Sequence, residues 1–138
     1  MQTINLDGFI ADQFADTPQP EWNSYTDGTA VVFPNDLNPA ILVPHLTNLR
    51  LIVVPFDHSA DGRGFSIAAQ LRDLGFAGHM RARGHILVDQ FRAALRCGFD
   101  DIQIPLTQVQ RNPAPQWRAV AHTPGYLPRI FDNSQVRA

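Results

Sequence analysis

Between Asp61 and Asp100 lie six of the chain's eleven arginines, together with the dense run Asp61-Gly62-Arg63-Gly64-Phe65-Ser66. A guanidinium presents a planar fork of donors that matches carboxylates and oxyanions, so arginines gathered beside glycine turns suit a small anion or the carboxylates of a partner protein. Within the run, Gly62 and Gly64 let backbone amides approach an anion, Arg63 can close over it, and Ser66 can cap the helix that follows. The plainer reading is a glycine turn in which Asp61 and Ser66 compete as caps and Arg63 pairs with Asp57 or Asp61. The run is not a dinucleotide fingerprint, because Ile67 stands where the third glycine belongs.

Arg81 and Arg83 flank Ala82, so on a strand they share one face with His79 while Met80 and Ala82 share the other. That face cannot be packed under an apolar helix without burying charge. Either the strand is an edge that wears charge against aggregation, or its arginine face lines a polar site. Arg92 and Arg96 stand one helical turn apart, which costs roughly 0.2–0.5 kcal/mol unless an anion lies between them. Asp89 can reach Arg92, and Asp89 with Gln90 can hold an arginine toward Arg63. A solvated helix end in which Arg96 meets the negative pole of its helix is the plainer reading. Cys97 follows Arg96 at a helix end, the wrong terminus to stabilise a thiolate, and reads as a buried structural thiol. His45, His58, His79, His85 and His122 are scattered without a metal-binding spacing. His58, beside Asp57 and Asp61, is a candidate for proton transfer or anion binding, with a surface histidine as the plainer reading.

Composition narrows the chemistry further. All basic residues are arginine, which removes Schiff-base catalysis, covalently held pyridoxal phosphate and the P-loop, each of which needs a lysine amine. A single cysteine forms no internal disulfide and cannot alone hold an iron–sulfur cluster. A net charge of −2 argues against non-specific capture of nucleic acid or acidic membranes. The opening residues carry neither a basic end nor a long apolar run, so neither a secretion signal nor a membrane span is expected there and a cytoplasmic location is. No cofactor is expected.

The elements that must position these residues are α/β in pattern. A chain of 138 residues with 44% apolar content can bury one ordinary core, which predicts a single domain. Residues 1–28 read as turn-rich, with a short strand opening at Gly8. The α/β core spans 29–105. Thr29 to Phe33 reads as a strand closed by Pro34, and Asn38-Pro39 starts a helix with Ile41, Leu42, His45 and Leu46 on one side, shortened or bent by Pro44. The run Leu51-Ile52-Val53-Val54 is the continuous apolar signature of a central strand covered on both faces. Ser66 caps a helix carrying Ile67, Leu71 and Leu74, which Gly75-Phe76 ends. Gly78 to Gly84 is a second strand, a helix from about Ile86 to Cys97 turns Leu87, Phe91, Ala94 and Leu95 inward, and Phe99 to Ile104 is a strand stopped by Pro105. Consecutive βα units predict a mostly parallel sheet with right-handed crossovers, with a barrel-like closure as the alternative. From Leu106 to Ala138, Pro113, Pro115, Pro124 and Pro128 predict an irregular extended arm and tail. Its Trp117, Tyr126, Leu127 and Phe131 would lie against the body or a second copy, which leaves a homodimer open.

Asp61 to Ser66, Leu71-Arg72, Gly75 to Gly78, Arg81 to Gly84, Asp89-Gln90 and Arg96 to Asp100 together resemble a bacterial family catalogued as domain of unknown function 934. The resemblance covers roughly residues 50–104. It implies an accessory role in assimilatory sulfate reduction, with sulfite reductase or another protein of that route as partner. The polar positions it marks are Asp61, Arg63, Ser66, Arg72, Arg81, Arg83, Asp89, Gln90, Arg96 and Asp100. It carries no mechanism. Two functions are therefore expected: an accessory protein that docks through an arginine-rich surface, or a small enzyme or ligand-binding subunit. The second would act on a sulfur oxyanion or phosphorylated metabolite, with Arg63, Arg81 and Arg83 holding the anion and Asp61 or His58 exchanging a proton.

Overall fold

The computed structural model describes residues 1–57 and 62–122. Six strands form one sheet in the order β2-β1-β6-β5-β4-β3. They are β1 Gln2–Asn5, β2 Gly8–Ile10, β3 Ala30–Val32, β4 Leu51–Phe56, β5 His79–Gly84 and β6 Asp101–Ile104. β3 to β6 run parallel. β1 returns antiparallel beside β6 and pairs β2 in a hairpin. The mostly parallel α/β domain expected from the sequence is thus present. The sheet ends at β2 and β3 without pairing them, so it is open rather than barrel-like.

The helices are α1 Arg63–Asp73, α2 Phe91–Cys97, α3 Leu106–Arg111 and α4 Ala114–Ala121, with 3-10 turns at Trp22–Ser24, Pro39–His45 and Val88–Gln90. Ile67, Ala68 and Leu71 of α1, Phe91 and Ala94 of α2, and Trp117 and Ala121 of α4 are buried on one sheet face against Ile52, Val54, Met80, Ala82 and Ile102. The opposite face carries a smaller apolar patch of Ala30, Val32, Leu51 and Val53, with Phe14 packed on it. Both faces of β4 are therefore covered, which is why its apolar run is unbroken.

Several expectations need correction. The strand bearing Arg81 and Arg83 is not an edge, since β5 lies between β4 and β6. Ser66 does not cap α1: the helix begins three residues earlier, with Gly64 buried against the Phe56 ring, and Ser66 sits exposed inside its first turn. Leu74 is exposed, although Gly75 and Phe76 end α1 as expected by donating to Arg72 O at 3.0 Å and Leu71 O at 3.0 Å. Asn38 caps Ala40 N at 2.9 Å, yet Pro44 leaves a 3-10 turn in which Leu42 is buried and Ile41 exposed. The helix expected from Ile86 splits, because the Gln90 side chain accepts from Leu87 N at 2.8 Å and starts a separate 3-10 turn, leaving Leu87 exposed. The segment after Pro105 is not extended through 106–121 but forms α3 and α4. Pro105 and Pro113 sit at helix starts, where a missing amide hydrogen costs nothing. Trp117 lies against the body as expected, fully buried, with its ring centroid 5.6 Å from that of Phe91. His58, Asp61, Tyr126, Leu127 and Phe131 lie outside the described residues.

Candidate functional site

Alternation along β5 sends Met80 and Ala82 into the helix-covered core and leaves His79, Arg81 and Arg83 on the other face. Parallel pairing sets Arg81 beside Asp101 and Arg83 beside Gln103. Arg81, 0% exposed, grips Asp101 through Nε to Oδ1 at 2.8 Å and Nη2 to Oδ2 at 3.1 Å, while its Nη1 donates to Asp12 Oδ1 at 2.9 Å. The Phe14 ring centroid lies 5.5 Å from its guanidinium carbon. Burial alone would lower the pKa of Arg81, but Asp101 and Asp12 raise it above the ordinary value. Burial alone would raise that of Asp12, but the Phe14 amide at 2.8 Å, Arg81 and Gln103 Nε2 at 3.0 Å together hold it below the usual carboxylate value. Arg83 donates to Gln103 Oε1 at 2.9 Å and to Gln19 Oε1, and burial together with the neighbouring Arg81 charge lowers its pKa. The arginine face is thus roofed by the segment carrying Asp12, Phe14 and Gln19.

Arg72 is fully engaged elsewhere. Its side chain is 5% exposed and makes five hydrogen bonds: Nε and Nη2 to Gly98 O, Nη1 to Phe76 O and Gly78 O, and Nη2 to Asp100 Oδ2. Five is the donor capacity of a guanidinium, so Arg72 ties the end of α1 to the loops entering β5 and β6. Gly98 makes room for it. With φ +115 it holds the left-handed end of α2, and a Cβ there would stand 2.7 Å from Arg72 Cγ. Asp100 completes the clamp by accepting from Met80 N at 2.8 Å.

The remaining expected positions lie apart. Arg63 and Ser66 border a cleft of about 380 Å³ with Asn35, Asn38 and Gln70, at the carboxyl end of β4. Arg63 and Arg72 cap opposite ends of one helix, so at 1.5 Å per residue roughly 14 Å of rise separates their backbones. Arg96 lines a groove with Ala69, Ala93 and Cys97, and Cys97 packs partly buried against the core. Asp89 is exposed, and Gln90 serves as the turn acceptor already described. The structure brings together Arg81 with Arg83 and Arg72 with Asp100, and it does not gather Arg63, Arg72, Arg81 and Arg96 at one place. Among the described residues, no group of three or more His, Cys, Asp and Glu is placed to hold a metal, and no helix is long and apolar enough to cross a membrane.

A different constellation forms at the amino ends of β4 and β5. Phe14, Arg50, Gly78, His79 and Asp100 line a cleft of about 440 Å³. A smaller cleft of about 170 Å³ adjoins it through Phe14 and Arg50, with Thr17 and Thr29. His79 N donates to Arg50 O at 2.8 Å, which holds the two residues side by side. The His79 ring is 20% exposed, its Nε2 lies 2.7 Å from Asp101 Oδ2, and the Phe14 ring centroid is 5.0 Å away. Arg50 is exposed, and its guanidinium makes no hydrogen bond or ion pair among the described residues. An arginine and an oriented imidazole that line one cleft can bind an anion between them. Sequence reasoning missed Arg50, Asp101 and Asp12. Period-two alternation pairs Asp101 with Gln103, which marks the face of β6, but only strand register assigns Asp101 to Arg81.

Residues 30–124 match the family described as bacterial protein of unknown function (DUF934). No curated protein and no solved structure matches the chain.

Proposed function

The chain belongs to the bacterial protein family of unknown function DUF934, and from the geometry of its cleft we propose that it is a cytoplasmic accessory protein of assimilatory sulfite or sulfate reduction that recognises an anionic group. Arg50 carries the reading: it borders the cleft of about 440 Å³ without an acceptor among the described residues. Arg72 and Arg81 are held by internal bonds. A guanidinium placed like Arg50 can take a carboxylate or a sulfur oxyanion without surrendering a contact that the fold needs. The sulfur setting comes from the resemblance borne by the motifs between Asp61 and Asp100, and sulfite reductase is the partner it implies. The same cleft serves the alternative reading, a ligand-binding subunit or small enzyme for a sulfur oxyanion or phosphorylated metabolite.

Pull-down of sulfite reductase at graded salt tests the proposal. Recovery should decline as salt rises, disappear for Arg50→Glu and persist for Arg111→Glu, an exposed arginine on α3. Equal recovery by Arg50→Glu and the parent protein would refute docking through this cleft. For the ligand reading, sulfite at one hundred times its dissociation constant should add about 2.7 kcal/mol of stability.

A further inference from the structure

Asp101 accepts from Arg81 through both oxygens and, on Oδ2, from His79 Nε2 at 2.7 Å. A carboxylate only accepts, so the proton of the neutral His79 ring belongs on Nε2 and the lone pair on Nδ1. Nδ1 has no partner among the described residues, and the ring lines the cleft that Arg50 borders. The supporting groups are held firmly. Arg81 and Asp101 have side chains 0% and 1% exposed, and Phe14 packs on both His79 and Arg81. The charges around His79 are Asp101, Arg81 with Asp12 behind it, and Arg50 and Asp100 in the cleft. Asp101 and Asp12 are answered by Arg81, and Asp100 by Arg72. Among the described residues, Arg50 is then left without a charge partner in the cleft.

We propose that the cleft binds a small oxyanion between Arg50 and His79, and that His79 takes up a solvent proton at Nδ1 as the anion enters. No covalent bond is made: the neutral imidazole gains one proton and becomes the second cation facing the anion. The proposal rests on the anion-recognising cleft described above and needs no protein partner.

Calorimetric titration with sodium sulfate in buffers of different ionisation enthalpy measures the proton directly, because sulfate has none to exchange near neutral pH. Proton uptake should accompany sulfate binding, and affinity should therefore fall as pH rises. His79→Gln keeps a donor for Asp101 but cannot be protonated, so it should bind sulfate without uptake. Arg50→Gln should bind at least about tenfold more weakly. Urea midpoints of both variants establish that each is folded. Sulfate binding without proton uptake, or undiminished uptake in His79→Gln, overturns the inference and leaves the anion-recognising cleft standing. Absence of binding by both sulfate and inorganic phosphate overturns the inference and the cleft reading together.

Discussion

Replacing Arg81 by leucine removes a guanidinium that is 0% exposed and leaves the Asp101 carboxylate, 1% exposed, with His79 Nε2 as its remaining hydrogen-bond donor. Asp12 loses one of its three hydrogen-bond donors but keeps Phe14 N and Gln103 Nε2. Breaking a buried ion pair from one side costs about 3–5 kcal/mol, most of it the penalty for the charge left behind. The surviving His79 contact and the partial exposure of Asp12 place the loss near the lower bound, about 3 kcal/mol. Against a typical total of about 5–15 kcal/mol that is a large share. With an unfolding entropy near 2.1 cal/mol/K per residue, it lowers Tm by roughly 10 °C. Urea unfolding followed by Trp22 and Trp117 fluorescence should show a lower midpoint with unchanged slope. Exchanging the pair together, Arg81→Leu with Asp101→Leu, should recover a good part of the loss, because no fully buried charge is then stranded. The acid limb supplies a second reading of the same network. Asp12 has a folded pKa below its ordinary value, so its contribution is present above about pH 4 and is lost as pH falls through the lower folded value. Arg81→Leu should weaken that acid dependence. A variant within about 1 kcal/mol of the parent would refute the claim that this network holds the second sheet face together.

Arg72→Lys retains charge but loses the fork that reaches four acceptors, and should cost about 2–3 kcal/mol in the same unfolding assay; a neutral result would mean the clamp is ornamental. Gly84→Ala should cost at least about 2 kcal/mol, since φ is +126 and the new Cβ would stand 2.2 Å from Phe56 O, where backbone cannot give way.

Much of the architecture was written in short-range pattern. The unbroken apolar run of β4, the Gly75-Phe76 stop and the Gly98 stop each carry a local cause, and each lies where that cause predicts. β1 was missed because Gln2 to Asn5 holds only one strongly apolar residue, Ile4, and owes its strand to the partner β6 on its far side. The prolines after Leu106 misled because proline breaks a helix interior but suits a helix start, and the choice depends on register with neighbouring turns. The site was legible in residue type and not in grouping. His79, Arg81 and Arg83 share a face as alternation requires, yet what they meet is fixed by Asp101 across a parallel register and by Asp12, some seventy residues away. Arg50 carried no motif at all. Its place at the cleft comes from lying next to the start of β5.

The seam between β1 and β6 joins residues 2–4 to residues 102–104, and Thr3 and Gln103 bond across it over a separation of 100 residues. During synthesis, no part of that seam can close until nearly the whole described chain has left the ribosome. Until then Arg81 waits without Asp101, and the growing parallel strands keep an unprotected border that invites pairing with other chains. Shelter by a chaperone should therefore matter most late in translation, just before β6 emerges.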